Sequence, residues 1–290
     1  MQNSRFAAAL VITIVGMNAA CAADMSVKAR PIVAPVAAGW NWAGFYVGGN
    51  IGAGWTDDQI FTAADPFNTF GLSGGPFLPA VATGHGSGIV GGIHAGFNWQ
   101  VSRAFLLGVE ADVSGADVNF STRVGPLVST FTNSDSSFVT NETVRALASI
   151  RGRAGLTFGD WLLFGTAGWG WADTRFSADA TCAPTGTEFC KFGGIHAPAA
   201  ASFSRNGAVY GGGIDFHVPS TQWVIGGEFL RYDLGSSSLT GVTRTGEGTL
   251  TSFGCPAGTP CVNYTASSLH LNEARLRASY RFGGPIVAKY

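Results

Sequence analysis

The 290-residue sequence predicts an all-β fold, a transmembrane antiparallel up-and-down β-barrel of about eight strands with short periplasmic turns and long extracellular loops. Three observations lead there: a scarcity of charge, an export signal, and a period-two alternation that recurs about eight times. Apolar residues make up 46% of the chain and charged ones only 12%, against roughly 25% charged in an ordinary soluble domain. Something other than water must therefore solvate part of the surface. The same figures exclude disorder, since 21 Phe and 8 Trp supply ample apolar area for a packed structure. The 42 glycines follow no collagen-like repeat and are assigned to turns, bulges and crowded strand faces. A net charge of -1 with no basic stripe leaves nothing to neutralise a row of phosphates, so no nucleic-acid partner is expected.

Residues 1–22 read as a signal peptide. Arg5 closes a short n-region, Phe6 to Met17 is apolar apart from Thr13 and Gly16, and Ala20-Cys21-Ala22 supplies a small-x-small cleavage pattern. Cleavage is expected after Ala22. Lipidation of Cys21 is disfavoured, because a lipid-attachment site usually has Leu three residues earlier and Asn18 stands there. No later stretch reaches the roughly 18 consecutive apolar residues of a membrane helix. A chain that spans a membrane must then do so as a barrel, since in hydrocarbon every backbone N–H and C=O needs a partner and only helices and closed sheets provide one. Residues 23–40, rich in Pro and Ala, are expected to form an extended periplasmic linker, and residues 41–290 the barrel.

The strands follow in order. Phe45, Val47, Gly49, Ile51, Ala53 and Trp55 alternate with Tyr46, Gly48, Asn50, Gly52, Gly54 and Thr56. Ile89 to Val101 sets Ile93, Phe97 and Trp99 against His94, Asn98 and Gln100, and Phe105 to Ser114 sets Leu107 and Val109 against Glu110 and Asp112. Val144 to Phe158 places Ile150, Ala154 and Leu156 opposite Arg151 and Arg153; four more stretches lie near Trp161–Phe176, Gly207–Val218, Trp223–Leu234 and Leu269–Phe282. Alternation marks strands with two differently solvated faces, and lengths of about 10 to 16 residues suit a tilted bilayer crossing better than a globular strand of about 5 to 6. Short links at Ser102–Ala104, Gly159-Asp160 and Pro219–Gln222 alternate with long ones at about 57–86, 121–143, 178–206 and 240–267, as in membrane barrels. Three short turns and four long loops require eight strands with both termini in the periplasm. Phe45, Trp99, Phe105, Phe158, Trp161, Trp223 and Phe282 then fall at the periplasmic ends and are expected to form an interfacial girdle.

The segment Asn41-Trp42-Ala43-Gly44-Phe45-Tyr46-Val47-Gly48-Gly49-Asn50 resembles the first-strand motif of the small porin-like, opacity-type outer-membrane barrels of alphaproteobacterial surface proteins. Tyr280-Arg281-Phe282, followed by Pro285 to Tyr290, is similar to the close of that family. The resemblance covers signal, linker and all eight strands but not the long loops. It implies an eight-stranded barrel in the cell outer membrane with surface, envelope-stabilising or weak pore roles, and no shared catalytic residues. One departure stands out: where the usual assembly signal has Gly, five residues before the last aromatic, this chain has Arg277. The expected partners are outer-membrane lipid and, through the C-terminal strand, the barrel-assembly machinery; the loops leave any extracellular ligand unspecified.

Site residues are few. Cys182, Cys190, Cys255 and Cys261 lie two to a loop, and export to an oxidising compartment favours disulfides. Of the three connectivities, local pairing of Cys182 with Cys190 and Cys255 with Cys261 is preferred. Zinc is the alternative, but His196 is a lone candidate ligand at no finger-like spacing, so no metal and no cofactor are expected. An outer-membrane lipid hydrolase could be built from inward-facing His94, Asp215, His217 and Glu228. A hydrogen-bonded polar lumen explains the same residues, and no Ser-centred motif accompanies them, so the chain is read as a non-enzyme. About eight strands leave an interior just wide enough for side chains to fill. The expected function is structural or surface-interacting with a largely plugged lumen, the alternative a small-solute porin of low conductance. Glu110 and Asp112 stand level with Arg153 and Arg151, and Glu228 near Arg275 and Arg277, which suggests an internal charge network. Separately hydrated lumen charges are the plainer alternative.

Overall fold

The computed structural model describes residues 40–64, 80–128, 135–182, 195–242, 244–245 and 260–282. Outside them lie the signal peptide, all of the linker but Trp40, the residues after Phe282, and Cys190 and Cys255, so neither the cleavage site nor the cysteine pairing falls within the described part. In chain order the strands are β1 (Gly44–Thr56), β2 (Gln59–Ala64), β3 (Ala80–Gly84), β4 (Ser87–Gln100), β5 (Phe105–Val128), β6 (Asp135–Phe158), β7 (Trp161–Cys182), β8 (Ile195–His196), β9 (Ala199–His217), β10 (Trp223–Leu234), β11 (Ser237–Val242), β12 (Arg244–Thr245), β13 (Pro260–Ala266) and β14 (Leu269–Phe282).

Eight of them close into a ring. Antiparallel pairing runs β1-β4-β5-β6-β7-β9-β10-β14 and back to β1. No edge is left in the ring, so each strand finds both its hydrogen-bonding neighbours inside the chain. The periplasmic turns are short: Gly159, at φ +62° in a backbone region that L side chains rarely adopt, opens the two-residue link from Phe158 to Trp161.

The outward face of the lower ring is apolar and exposed. Ile51, Ile89, Ile93 and Leu276 are each more than 60% accessible, a pattern that fits solvation by lipid. On β7 the apolar outward run extends from Trp161 to Trp171; about ten residues at roughly 3.3 Å rise and a tilt near 40° span about 25 Å, the height of an outer-membrane apolar band.

Above that band the structure departs from the sequence reading. The stretches 57–86, 121–143, 178–206 and 240–267, expected as loops, are partly strand: β5 and β6 continue to 24 residues each, β7 to 22 and β9 to 19, and β2, β3, β11 and β13 make a second, four-stranded sheet in the order β11-β13-β2-β3. The physical reason is that alternation persists with its polarity reversed. Asn119, Ser121, Asn141 and Ser202 point outward, while Phe120, Phe138 and Phe176 are buried. These side chains meet Phe61, Ala82, Val262 and Tyr264 of the second sheet in one apolar core above the membrane band. Ring contacts such as Phe138 on Tyr264 (5.7 Å) and Phe61 on Phe176 (5.8 Å) knit the two together.

Candidate functional site

Inward-facing side chains of the barrel stack in three layers. The periplasmic layer begins before the first strand. Trp42 is buried against Leu106, Leu162, Phe164 and Val224, with Trp40 packed beside it. The Trp42 backbone N–H donates to Gln100 Oε1 (2.7 Å), and the Arg281 guanidinium donates to the carbonyls of Asn41 and Ala43. Trp40 lies stacked on the His217 ring at 3.5 Å, and the Arg281 guanidinium lies over the Trp40 ring at 4.7 Å. Residues 40–43 thus cross the periplasmic mouth as a strap.

Next comes a charged layer. Arg151 and Arg153 stand two apart on β6 and so share its inner face; Arg275 and Arg277 do the same on β14, four strands away in the ring and therefore opposite. Arg151 donates to Glu110 (2.7 Å), Glu228 (2.7 Å) and Asp112 (2.9 Å). Arg275 donates to Glu228 (2.8 Å) and Asp112 (3.3 Å), and Arg277 to Glu110 (2.5 Å) and Glu228 (3.3 Å). Glu110 on β5 and Glu228 on β10 are likewise opposite, so each carboxylate joins the two arginine-bearing strands across the lumen. Arg153 donates to Asp215 and to the Tyr46 hydroxyl, both at 2.9 Å, and lies over the Phe164 ring at 3.9 Å. Tyr46 in turn donates to Glu110 (2.7 Å). Gly96 makes this approach possible, because a Cβ there would sit 2.3 Å from the Tyr46 oxygen. All seven residues read as the lumen charge group are at most 7% exposed.

The register differs from equal heights. Phe105 pairs with Leu156, not with Phe158, so Glu110 faces Arg151 and Asp112 faces Ser149. Period-two alternation assigns a side chain to a face but leaves the offset between strands free, and barrel shear sets it. Glu228 faces Arg275 directly. Sequence reasoning missed Tyr46 and Glu273 as members of this layer, although both alternate inward; Glu273 is fully buried beside Arg275 (3.4 Å).

The residues weighed for hydrolysis are kept apart. Asp215 is paired with Arg153, His94 with the Ser279 hydroxyl (2.8 Å), and His217 with Asp160 (2.9 Å) and the Thr221 carbonyl (3.0 Å). His196 contacts Asp179 at 3.5 Å on the extracellular side, and among the described residues no group of three or more His, Cys, Asp and Glu is arranged to hold a metal ion.

The upper layer is the apolar core, crossed by one buried ion pair. Arg205 on β9 donates to Glu142 on β6 at 2.5 Å. Both lie above the membrane band. Burial pushes the Glu142 carboxyl above its ordinary range against the pull of Arg205, and burial likewise lowers the Arg205 guanidinium against Glu142.

On the outer surface, Phe45, Trp99, Phe105, Phe158, Trp161, Trp223 and Phe282 all sit at the periplasmic ends and are 37–61% exposed. Phe45 contacts Phe282 (5.7 Å), and Tyr280, not among the residues expected in the girdle, bridges Trp223 (5.4 Å) and Phe282 (5.3 Å). A second set of exposed aromatics, Trp55, Trp169, Trp171, Tyr210 and Phe229, marks the opposite border of the apolar band.

Residues 31–282 match the family described as Outer membrane protein beta-barrel domain, and the chain belongs to that family. The 31 kDa outer-membrane immunogenic proteins of Brucella melitensis biotype 1 and Brucella suis biovar 1 are each 28% identical over 235 residues, covering 79% of this chain and 86% of theirs. Among solved structures, the outer membrane protease OmpT of Escherichia coli aligns over 82% of this chain and 97% of its own at 9% identity, with a TM-score of 0.44. Ail of Yersinia pestis, solved with a heparin analogue, aligns over 80% and 99% at 12% identity, with a TM-score of 0.28. The chain is an outer-membrane β-barrel protein.

Proposed function

We propose that this barrel acts as a structural and surface-presenting protein of the outer membrane whose lumen is plugged, and that it is neither an open pore nor an enzyme. The observation that carries the reading is the charged layer, in which arginines of opposite strands β6 and β14 share the carboxylates of Glu110, Asp112 and Glu228 across the lumen. Charges inside a membrane protein are costly unless paired, and pairs that reach across the interior leave no continuous path for a solute. Beside them, the space between Trp42, Tyr46, Arg153, Asp215 and Arg277 is about 10 Å³, room for about one water. Trp42 below and the apolar core above add two further obstructions in series. Surface presentation is supported by the name of the Brucella relatives, outer-membrane immunogenic proteins, and by the strand extensions that raise a polar outer face above the bilayer. Outer-membrane lipid and, through β14, the barrel-assembly machinery are the partners this reading requires.

Planar-bilayer recording of the purified mature protein tests it. Small, infrequent current steps are expected; large, stable conductance from the unmodified protein would establish the pore reading instead. Cleavage of phospholipid or lipid A by the same preparation would contradict the non-enzymatic one.

A further inference from the structure

Four neighbouring strands of the ring are interrupted at one level, and every interruption is two residues long. Asp57-Asp58 separates β1 from β2, His85-Gly86 separates β3 from β4, Gly235-Ser236 separates β10 from β11, and Ser267-Ser268 separates β13 from β14. The order below the interruptions, β4-β1-β14-β10, returns above them as β3-β2-β13-β11. Pairing also keeps its offset across two of the three seams. Thr56 pairs with Leu271 below and Phe61 with Ala266 above; Leu234 pairs with Leu269 below and Ser237 with Ala266 above. Between β1/β4 and β2/β3 the offset changes by one residue, from Trp55 with Ser87 to Gln59 with Gly84. Independent loops would break register independently. A shared level with a nearly conserved register is a single crease running across four strands. The remaining strands β5, β6, β7 and β9 pass the same level without a gap.

The crease is clasped from the unbroken wall. Arg205 donates to the carbonyls of Gly235 (2.8 Å) and Ser267 (3.0 Å) and to the Ser237 hydroxyl (2.7 Å). Its partner Glu142 accepts from Gln59 Nε2 (3.2 Å), which also donates to the Ser267 carbonyl (3.1 Å). One ion pair on β6 and β9 thereby reaches two of the four interruptions, at Gly235 and Ser267, and the first residue of β2, Gln59, beside a third. Arg205 is 3% exposed and Glu142 0%. A buried ion pair adds little net stability over apolar residues of the same volume, while loss of one partner is costly. Its distinctive service here is positional: it fixes the backbone carbonyls of Gly235 and Ser267 at two of the interruptions, which apolar side chains could not do.

We propose that β2, β3, β11 and β13 form a lid that swings as one unit about this crease, and that Arg205 with Glu142 is the clasp that holds it against the wall. Opening would uncover Phe61 and Tyr264 on the lid and Phe120, Phe138 and Phe176 on the wall, and would leave the charged layer beneath untouched. Plugging and lid movement are therefore separable.

Hydrogen–deuterium exchange of the full mature chain in lipid nanodiscs tests the proposal. In the unmodified protein the amides of all four lid strands should exchange at a common rate, about tenfold or more faster than those of β1, β4, β10 and β14 below the crease, because one opening event exposes them together. Arg205→Met, similar in volume, should speed exchange of the whole lid by about a further tenfold or more while the lower strands keep their rates; Glu142→Gln, which keeps one acceptor oxygen for Arg205 but loses the charge and the bond from Gln59, should give a smaller change in the same strands. Unrelated rates among the four lid strands of the unmodified protein would overturn the rigid lid, even if Arg205→Met fails to fold. An Arg205→Met effect confined to the vicinity of residue 205, or spread equally into the lower strands, would overturn the clasp.

Discussion

The lower and upper halves of the barrel interior are filled in opposite ways, although the same strands build both. On β5 the inward residues Glu110, Asp112 and Ser114 give way to Val118 and Phe120, while outward residues pass from Val109 and Val113 to Asp117, Asn119 and Ser121. On β7 Trp169 and Trp171 face outward below, and Asp173 and Arg175 above; Phe176, Ala178 and Ala180 then face inward. On β5 and β7 the period of two holds while its polarity inverts; on β6 the register shifts between Val144 and Ala146, so that Leu147 and Val144 are both buried and Arg145, inward by strict alternation, points outward. The inversion teaches where the solvent changes: lipid outside demands an apolar exterior and leaves polar groups the interior, whereas water outside restores the ordinary arrangement of a soluble sheet.

Five substitutions sharpen or break that comparison, beginning with the largest expected effect. Glu110→Ala should cost about 3–5 kcal/mol, because it leaves Arg151, Arg153 and Arg277 short of a buried partner; urea unfolding of the barrel in micelles, read by the mobility difference between boiled and unboiled samples, measures it. Phe176→Ala should cost about 3 kcal/mol as a core truncation, yet the unboiled sample should keep its folded mobility, since the lower ring is left intact. Leu276→Arg should then cost about 2–4 kcal/mol, being outward and 70% exposed within the apolar band, whereas Ser121→Arg, also outward but above the band, should stay within about 0.5 kcal/mol. Equal penalties at 276 and 121 would mean that no solvent boundary lies between them. Arg145→Ala should also cost little, under about 1 kcal/mol, because its pairing with Asp173 (2.9 Å) is half-exposed.

Much of this was legible in the sequence because alternation is a local signal. Eight strands, their facing, the two arginine pairs and the periplasmic aromatics all follow from residues two apart on one chain segment. Offsets between strands were not legible, and so Glu110 was matched with Arg153 while the ring sets it opposite Arg151. The upper half was hidden for a different reason. The stretch 121–143 reads as loop because Ser, Thr and Asn recur in it, and only the outward positions of Ser121 and Asn141, set against buried Phe120 and Phe138, reveal strands of reversed polarity. Trp40 falls at the end of the linker and Trp42 at the start of the first-strand motif, with nothing local to show that both fold back into the barrel mouth. The crease and its clasp depend on Arg205 meeting residues about 30 and 60 positions away, beyond the reach of any motif.

The most direct test of the inverted barrel is a depth scan along β7. Spin labels would be placed singly at Leu163, Ala167, Trp171, Asp173, Arg175 and Ser177, with the four mature cysteines replaced by serine and the protein held in a bilayer, and collision rates with oxygen and with a water-soluble nickel chelate compared. Labels at 163, 167 and 171 should favour oxygen, labels at 173, 175 and 177 should favour nickel, and the crossover should fall between 171 and 173. Nickel access at 163 and 167, or oxygen preference continuing through 177, would contradict the account.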